Sequence, residues 1–337
     1  MGVLEVRSMD DDCLADIDEI DAMDEEARKK PWNGDIVWGH VLAHFFLHMG
    51  TIYGIYLAFT HAMWQTNLWL LVMYYYGGLA ITGGAHRLWT HRAFKANFWV
   101  RVFYMLGTCM AAQNDVIEWS RDHRCHHKWV DSDADPYNIK RSFFFAHMGW
   151  IWTRKHPKVI EMGKKIDMSD LEADPVLRFQ RRFFVPLVTG TIVFLTAVPI
   201  FVWGEEVACA FYVGAVVRMT SQLHGTWVIN SFAHMYGYRP FNTQITARDN
   251  LFFSFVAMGE AWHNYHHTFP QDYRVSEYPY KANTCTMLID VFAYFGWTWD
   301  RKVMTAEAIE NQKEKFGDHS RSIVRALDQT CHRPDTQ

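Results

Sequence analysis

Eight histidines of this 337-residue chain fall into three short clusters whose spacing suits metal binding. The clusters are HRLWTH, HRCHH and HNYHH, and their histidines are His86, His91, His123, His126, His127, His263, His266 and His267. Imidazole is a ligand for iron, copper, zinc and nickel, and a mononuclear site rarely takes more than about four to six ligands. Eight clustered imidazoles therefore predict two metals.

The spacing inside each cluster indicates which imidazoles act together. Positions i, i+3 and i+4 share one face of an α-helix, so the three histidines of HRCHH, like those of HNYHH, are expected to aim their nitrogens at one place. His86 and His91 are five residues apart. A continuous α-helix separates such positions around its axis, so these two either reach different metals or lie across a helix end. Cys125 is a weaker candidate, because the neighbouring histidines already supply enough ligands.

Four apolar segments are long enough to cross a bilayer, which takes about 20 mostly apolar residues. They are residues 36–59, 66–85, 183–203 and 207–229. Two short connectors, HAMWQ and GEE, join them in pairs. The sequence therefore predicts an all-α integral membrane protein with four transmembrane helices in two hairpins. A helical cytosolic cap, made of residues 86–182 and 230–318, is expected to hold the dimetal site.

Charge orients these segments. Of the 33 lysines and arginines, all but Arg218 lie in residues 1–35, 86–182 or 230–337, and such residues are retained on the cytosolic side. Both termini and every clustered histidine are therefore expected in the cytosol.

Residues 1–27 hold 11 acidic side chains against one arginine. We expect an acidic mobile tail at 1–35, one membrane domain at 36–318 and a carboxyl-terminal tail at 319–337.

Polar residues inside the apolar segments leave two interpretations open. His40, His44 and His48 repeat every four residues on the first segment, and ionisable groups at membrane depth are functional candidates. A second metal or haem face is one interpretation. We favour contacts with the membrane interface or with headgroups, because two of the three lie in the entering turns. Arg218 is expected to face the bundle interior, where it is paired or bonded to backbone.

Longer strings around the histidines resemble the membrane acyl-CoA desaturases, the stearoyl-CoA (Δ9) desaturase group of animals. The resemblance covers roughly residues 35–318 and rests on GAHRLWTHRAFKA, QNDVIEWSRDHRCHHKWVDSDADPYN, FFFAHMGW, FQRRFFVPLV and HNYHHTFPQDYR. It implies two iron ions (Fe2+/Fe3+), with O2 as co-substrate and no catalytic residue beyond the metal centre. It adds His234 as a ninth histidine ligand and Asn230 as a ligand through a water.

The same resemblance implies where a substrate binds. Positions that line a bent acyl tunnel correspond to Gln113, Trp119, Thr226 and Trp227, and the closed end corresponds to Tyr74 and Gly78. Positions that contact the CoA group correspond to Asn114, Arg121, Asp122, Arg154 and Lys155. By residue type alone, core packing is the preferred interpretation of the aromatics, and the cations are equally consistent with a solvated face or a lipid-phosphate contact.

The reaction implied is O2-dependent insertion of a cis double bond, most often Δ9, into saturated C16–C18 fatty acyl-CoA at the endoplasmic reticulum membrane. The sequence has neither a GxGxxG fingerprint nor a CxxCH haem motif. Electrons are therefore expected from outside the chain, and the resemblance implies that separate cytochrome b5 and its NADH-dependent reductase supply them. Membrane lipid is an expected partner, and nucleic acid is not. Ser142, Ala261 and His40 depart from residues common in the family, which leaves the preferred fatty acid open.

Other classes share parts of this pattern. A related diiron lipid hydroxylase would use the same histidines but insert oxygen, and a desaturase of shifted regioselectivity would differ in the bond position. A zinc-dependent membrane hydrolase or a histidine-rich metal transporter would need one metal or a polar path across the spans. A non-catalytic, receptor-like protein would tolerate the loss of His126. Iron content near two per chain, with a requirement for O2 and reductant, would favour a desaturase or hydroxylase.

Overall fold

The computed structural model describes Ala22, Met23, Glu25 and residues 34–320, and this part of the chain is mostly helical. Most of the expected tails, 1–35 and 319–337, lies outside the described residues. In chain order the helices are α1 Trp38–Thr60, α2 Trp64–Leu79, a π-helix at Ala80–Thr90, α3 Phe98–Ala111, α4 Val116–Lys128, a π-helix at Phe145–Gly149, α5 Trp150–Trp152, α6 Pro157–Gly163, α7 Ser169–Ala173, α8 Pro175–Arg182, α9 Phe184–Trp203, α10 Val207–Phe211, a π-helix at Tyr212–Val217, α11 Arg218–Met235, α12 Leu251–Val256, α13 His263–Thr268, α14 Thr284–Tyr294 and α15 Ala306–Phe316.

Three helical stretches in the described part of the chain are long and apolar enough to cross a membrane. They are Trp38–Thr60, Trp64–Thr90 and Phe184–Trp203. The second consists of α2 and the π-helix that continues it. Large apolar side chains on α1 and α9 point away from the protein, as with Phe59 and Phe201, which are 88% and 85% exposed. Contiguous exposed apolar surface of this kind suits contact with lipid.

The fourth expected span is helical from Val207 to Met235 but is not among these three. Its carboxyl-terminal part is more polar than a typical span, because α11 carries an arginine, a glutamine and several hydroxyl and imidazole side chains. Neighbouring helices bury its amino-terminal half, where Cys209, Ala210 and Val213 have no exposed surface. Length and composition therefore identify three spans, and the fourth remains a prediction.

The two connectors between paired helices lie at the same end of the helix bundle. Glu205 is buried, accepts a hydrogen bond of 2.9 Å from the Met63 N–H, and accepts another from the Thr66 hydroxyl. The indole N–H of Trp203 donates to that same hydroxyl at 2.9 Å. Gly204 makes the tight turn with a φ of +75°, a backbone conformation that glycine adopts without steric cost.

Short helices and loops form a second layer around α3 and α4. Asp115 starts α4 by accepting hydrogen bonds from the N–H groups of Ile117 and Glu118, at 3.1 and 3.2 Å, as a helix N-cap does. A two-stranded antiparallel sheet pairs β1 (Lys95–Ala96) with β2 (Thr298–Trp299). The sequence did not predict this sheet, which joins the start of α3 to the segment after α14.

Candidate metal centre

Nine histidines come together in the described part of the chain, in two groups. The group of five contains His86, His91, His123, His127 and His266, and the group of four contains His126, His234, His263 and His267. Within each group, the ligand-capable atoms all lie within 4.8 Å of one another. The structure thus brings together all eight clustered histidines and adds His234 as the ninth, and it divides them between two centres.

Each HxxHH triplet is divided between the two groups. On α4, His123 and His127 lie in the group of five, whereas His126 lies in the group of four. On α13, His266 alone joins the group of five, and the other two histidines join the group of four. The expectation that each triplet aims at one place was therefore wrong. Neighbouring residues point about 100° apart around a helix, so one triplet faces two adjacent centres.

His86 and His91 lie in the same group because the helix that contains His86 and ends just before His91 is not an α-helix. Residues Ala80–Thr90 form a π-helix, and the His91 N–H donates to the His86 carbonyl oxygen at 3.1 Å. An i→i+5 hydrogen-bond pattern of this kind brings together residues five apart. The two imidazole centroids are 4.8 Å apart. The two histidines therefore lie across the end of the π-helix and do not reach different metals.

The nitrogens of each group are arranged as metal ligands would be. In the group of four, the Nε2 atoms of His126, His267, His263 and His234 follow one another at 3.2, 3.1 and 3.0 Å. In the group of five, those of His86, His266, His127 and His123 follow at 2.8, 2.9 and 3.1 Å. A neutral imidazole has a single N–H, so such sets cannot be satisfied by hydrogen bonds when the Nδ1 atoms are protonated. Metal–nitrogen bonds of about 2.0–2.1 Å place neighbouring nitrogens about 3 Å apart, so the residues fit one ion per group.

Burial holds these imidazoles in the form that a metal requires. Burial, assisted by neighbouring imidazoles, lowers the pKa of His127, His266 and His267 well below the ordinary histidine value, and it lowers the pKa of His263 to about 3. Only neutral imidazole offers a free lone pair to a metal. The buried His91 Nε2 has no hydrogen-bond partner, which also suits a ligand.

Two carboxylates contact the outer nitrogens of ligand-set histidines directly. His86 Nδ1 lies 2.7 Å from Glu260 Oε2, and the other Glu260 oxygen accepts from Arg87 Nε and a terminal Arg87 nitrogen at 2.9 and 2.6 Å. His126 Nδ1 lies 2.9 Å from Asp135 Oδ1. Burial acts to raise the pKa of Glu260, but Arg87 and His86 outweigh it and hold that pKa at about 2. Such partners fix the tautomer and orientation of a metal-binding histidine.

A third carboxylate reaches the group of four through a hydroxyl. His234 Nδ1 lies 2.8 Å from Thr246 Oγ1, which donates to Asp131 Oδ1 at 2.6 Å. The Thr246 N–H also donates to the second Asp131 oxygen at 2.9 Å. Sequence reasoning missed these outer residues. For Asp131 and Asp135 the available signal was the acidic string DSDAD, which begins four residues after HRCHH ends, because metal-binding histidines usually have carboxylate partners.

Asp249 positions the last histidine cluster. Its buried carboxylate accepts hydrogen bonds from the N–H groups of Asn264 and Tyr265, at 2.8 and 3.1 Å. These N–H groups belong to the first turn of α13, where no carbonyl within the helix can accept from them. The side chain of Asn264 in turn accepts from the N–H groups of Phe241 and Asn242. The loop 241–250 is thereby joined to the start of α13.

A cavity of about 340 Å³ borders both histidine groups. Its wall includes His86 and His123 from the group of five, His263 from the group of four, and Asn230. Among the expected substrate residues, those that line it are Tyr74, Gly78, Gln113, Asn114, Trp119, Asp122, Thr226 and Trp227. The cavity thus connects α2, the turn between α3 and α4, and α11.

Two side-chain contacts shape the cavity beside the metal groups. Gln113 Nε2 donates to Thr226 Oγ1 at 2.8 Å, which joins the turn after α3 to α11. That turn contains Asn114 with a φ of +71°, a left-handed conformation that asparagine tolerates better than most residues. Trp119 stacks on His123 with the ring centroids 4.9 Å apart. The cavity wall is therefore in direct contact with a histidine of the group of five.

The expected CoA-binding cations, Arg121, Arg154 and Lys155, do not line the cavity. Lys155 Nζ lies 2.6 Å from Asp122 Oδ1 and 2.9 Å from Glu118 Oε1, and a terminal nitrogen of Arg121 lies 2.6 Å from the other Glu118 oxygen. Because Asp122 lines the cavity, this network adjoins it at that side.

The histidines of α1 lie outside both metal groups. His40 and His44 line the cavity. His48 Nε2 lies 3.0 Å from His224 Nε2, and His224 Nδ1 lies 2.9 Å from His147 Nε2. These contacts run from ring to ring and do not converge on one point. Among the described residues, they therefore form no third metal group.

Arg218 and Cys125 also have clear positions. Arg218 is 1% exposed, and a terminal nitrogen donates to the Met110 carbonyl at 2.7 Å. The expectation of an inward-facing arginine bonded to backbone is thus confirmed.

Cys125 is buried, and its thiol donates to the Ala134 carbonyl at 3.6 Å. It belongs to neither histidine group.

The fold and the site define a class: a helical membrane protein with two histidine groups that fit metal ions, beside a shared cavity. Comparison with known proteins identifies the family within that class. The family model described as fatty acid desaturase matches residues 64–284. The chain is 48% identical over 303 residues to the Delta(9)-fatty-acid desaturase fat-6 of Caenorhabditis elegans, covering 90% of this chain and 89% of that protein.

Relatives from other animals agree. The Acyl-CoA Delta-9 desaturase of Acheta domesticus is 44% identical over 308 residues, covering 90% of this chain and 86% of that protein. The Stearoyl-CoA desaturase 5 of Bos taurus is 45% identical over 287 residues, covering 85% of each. The chain belongs to the fatty acid desaturase family. The resemblance to the membrane acyl-CoA desaturases is thereby confirmed, as is the prediction of a desaturating oxidoreductase.

Proposed function

We propose that the protein inserts a cis double bond at Δ9 of saturated C16–C18 acyl-CoA in an O2-dependent reaction. The observation that carries this proposal is the cavity, whose wall contains His86 and His123 from one group and His263 from the other. An acyl chain held in it has adjacent methylenes beside both groups. The relatives named for Delta(9) desaturation support the position of the double bond.

Two iron ions are the proposed cofactor, one held by the group of five and one by the group of four. Asn230 lines the cavity one helical turn before His234, and we assign it to the second ion through a water. When bound, the iron pair supplies the O2-dependent oxidation that an unactivated methylene requires. The carboxylates of Glu260, Asp135 and Asp131 orient the imidazoles and place negative charge outside the neutral ligand set.

The protein's own residues would hold the acyl chain in place. The hydrogen bond between Gln113 and Thr226 fixes the wall next to the histidines, and Tyr74 and Gly78 enclose the part of the cavity that lies against α2. The double-bond position follows from which carbons lie beside the two groups, because small displacements of a bound substrate strongly change reactivity. Trp119, stacked on His123, sets one side of that position.

The CoA group is proposed to bind at the Asp122 side of the cavity, with Asn114 and the cations of Arg121, Arg154 and Lys155. Arginine makes paired hydrogen bonds with phosphate oxygens. Because Lys155 and Arg121 are paired with carboxylates in the free protein, phosphates must compete with Glu118 and Asp122 for them. Binding would therefore weaken as ionic strength rises.

We assign the protein to the endoplasmic reticulum membrane, with four spans and both termini cytosolic. The helix from Val207 to Met235 pairs with α9 through the short turn at Gly204, and it would complete the second hairpin of a membrane domain at 36–318. The distribution of lysine and arginine puts the histidine groups on the cytosolic side. Cytochrome b5, reduced by its NADH-dependent reductase, would deliver electrons there.

Expression in yeast that lacks its own desaturase tests this proposal. We expect the wild-type protein to restore growth without added unsaturated fatty acid, and mass spectrometry to locate the new double bond at Δ9. The His126→Ala variant, expressed at the same level, should restore neither. Hydroxylated lipid in place of a monoene would identify a hydroxylase instead. Absence of any monoene, with wild-type protein and iron present, would contradict the proposal.

A further inference from the structure

A row of polar residues winds slowly around the fourth long helix. Arg218, Gln222, Thr226, Asn230 and His234 are spaced four apart on α11, and each is turned by about 40° from the one before it. Gln222, Thr226 and Asn230 all line the cavity. With a rise of about 1.5 Å per residue, Gln222 lies about 12 Å along the helix from Asn230. The polar row therefore extends well past the metal groups.

Gln222 has a buried side chain whose hydrogen-bonding capacity is unused. The residue is 3% exposed, and its Oε1 is buried without a hydrogen-bond partner. The amide lies across two glycines of α2. A Cβ on Gly77 would lie 2.8 Å from Gln222 Oε1, and a Cβ on Gly78 would lie 3.6 Å from Gln222 Nε2. Gly78 lines the cavity and Gly77 does not, so the Nε2 end of the amide is the end that lies at the cavity wall.

The polar neighbours of Gln222 either bond other groups or lie outside the cavity wall. Tyr74, which also lines the cavity, donates its hydroxyl hydrogen to the Val256 carbonyl at 3.1 Å. Arg218 does not line the cavity; one terminal nitrogen donates to the Met110 carbonyl in the last turn of α3, and its other two nitrogens are buried without a partner. Thr226 accepts from Gln113. Gln222 is therefore the cavity-lining side chain in this region whose amide is left to meet a ligand.

An amide in this position discriminates between two kinds of acyl chain. A plain methyl end next to it leaves a buried polar group unpaired, which is unfavourable. A hydroxyl both donates and accepts, so it satisfies either end of the amide. Sites built to bond a substrate hydroxyl reject the analogue that lacks it, because their own polar groups are then left without partners.

We propose that this end of the cavity is a polar subsite, in which Gln222 hydrogen-bonds an oxygen near the distal end of the acyl chain. The preferred substrate class is then an ω-hydroxyacyl-CoA. This inference rests on the proposed acyl-CoA desaturase function, since it describes the far end of the same substrate. It assigns Gln222 as a residue that determines substrate specificity.

Competition between two substrates tests the proposal. The iron-loaded enzyme, with cytochrome b5 and reductase, is given equal amounts of palmitoyl-CoA and ω-hydroxypalmitoyl-CoA, and the ratio of their kcat/KM values is measured. The wild type should favour the hydroxylated chain by about tenfold, as expected for one buried hydrogen bond. Gln222→Leu should reverse that preference. Thr220→Val, a buried polar-to-apolar change on the same helix that leaves the amide intact, should keep the wild-type ratio.

Other outcomes are equally decisive. Equal ratios in wild type and Gln222→Leu would overturn the proposal, as would a wild-type preference for the plain chain. If Gln222→Leu does not fold, Gln222→Met and calorimetric binding of the two acyl-CoAs to the wild type provide the same comparison. If neither substrate is desaturated by the wild type, the proposed function itself fails, whereas desaturation of palmitoyl-CoA without the predicted preference refutes this inference alone.

Discussion

The side chain of Met258, two residues after α12, occupies the space that a side chain on Gly78 of α2 would need. A Cβ on Gly78 would overlap the terminal methyl of Met258 and lie 2.5 Å from its sulfur. Both residues line the cavity. Met258 has a φ of +56°, which is uncommon for a residue other than glycine, and its flexible side chain covers the glycine. The absent Cβ of Gly78 and the length of Met258 thus form one part of the cavity wall.

A bulky residue at position 78 should shorten the acyl chain that the enzyme accepts. Gly78→Leu fills space that Met258 borders, so we expect the product profile in yeast lipids to move from C18 toward C16 monoenes. Gly190→Leu is the control, because Gly190 lies on α9 and a Cβ there meets nothing within 4 Å. The same profile in Gly78→Leu as in wild type would refute the tunnel assignment.

A compensating pair sharpens that test. Gly78→Ala alone should reduce activity, because its methyl meets the Met258 side chain. Gly78→Ala combined with Met258→Ala should recover much of it, since alanine removes the atoms that overlap and is not branched at Cβ, which suits the positive φ of this position better than a β-branched residue. Turnover of palmitoyl-CoA by the two single variants and the double variant measures the coupling. Additive losses would show that the two side chains do not share this space.

The glycine–methionine contact illustrates what sequence reasoning reached and what it missed. Position 78 was predicted by resemblance to lie at the closed end of an acyl tunnel, and Gly78 lines the cavity of the structure. Met258 was not predicted to line the cavity. It lies in the loop after α12, and the path of this loop depends on the positive φ values of Met258 and Gly259. No periodic pattern signals such a turn. Contacts between a regular helix and an irregular loop are therefore the part of the site that a single sequence conceals.

Glu260 should control the occupancy of the group of five. Glu260→Gln removes the charge that contacts His86 Nδ1 and pairs with Arg87, so His86 loses its orienting anion. Removal of such an outer partner typically costs about 10- to 100-fold in metal affinity or activity. Iron per chain, measured by plasma mass spectrometry, and desaturase turnover should both fall. Glu161→Gln, a change at an exposed carboxylate paired with Lys158, should alter neither. Full iron content and activity in Glu260→Gln would contradict this role.

The Gln113–Thr226 hydrogen bond should set the register of the acyl chain. Thr226→Val keeps the shape of the side chain and removes the acceptor of the 2.8 Å bond. We expect a mixture of double-bond positions in place of a single one, because the wall beside the histidines is no longer fixed. Mass-spectrometric location of the double bonds provides the measurement. A single unshifted position in both Thr226→Val and Gln113→Leu would show that this bond does not determine regioselectivity.

Gly54 should be essential to the contact between α1 and the fourth long helix. A Cβ there would lie 2.5 Å from Val217 Cγ2 and 2.8 Å from the Tyr212 carbonyl oxygen. Gly54→Ala therefore overpacks a tight helix crossing, at a cost of about 1–3 kcal/mol. Thermal unfolding in detergent should show a lower Tm than wild type, whereas Gly190→Ala should leave it unchanged or raise it. Equal Tm values for wild type and Gly54→Ala would argue against this packing.

For the histidine groups, too, one part was predictable from the sequence and another was not. Residue type and spacing identified the eight clustered histidines as ligand candidates for two metals. They did not predict that His126 and His127 serve different centres, because that division depends on how α4 is rotated against α13. Nor did they predict that His86 and His91 share a centre, which follows from a π-helix that propensities do not signal. Residue types and their spacing thus indicated metal binding, whereas the assignment of each histidine to one of the two groups became visible only in the packed helices.

The measurement that tests the central claim most directly is the metal content of the purified, active protein. Plasma mass spectrometry of fully active wild-type enzyme should find two iron ions per chain. His127→Ala and His126→Ala, which alter neighbouring residues assigned to different groups, should each lower that content and abolish desaturation. One metal ion per chain, or zinc in place of iron, in a preparation with full desaturase activity would contradict the account.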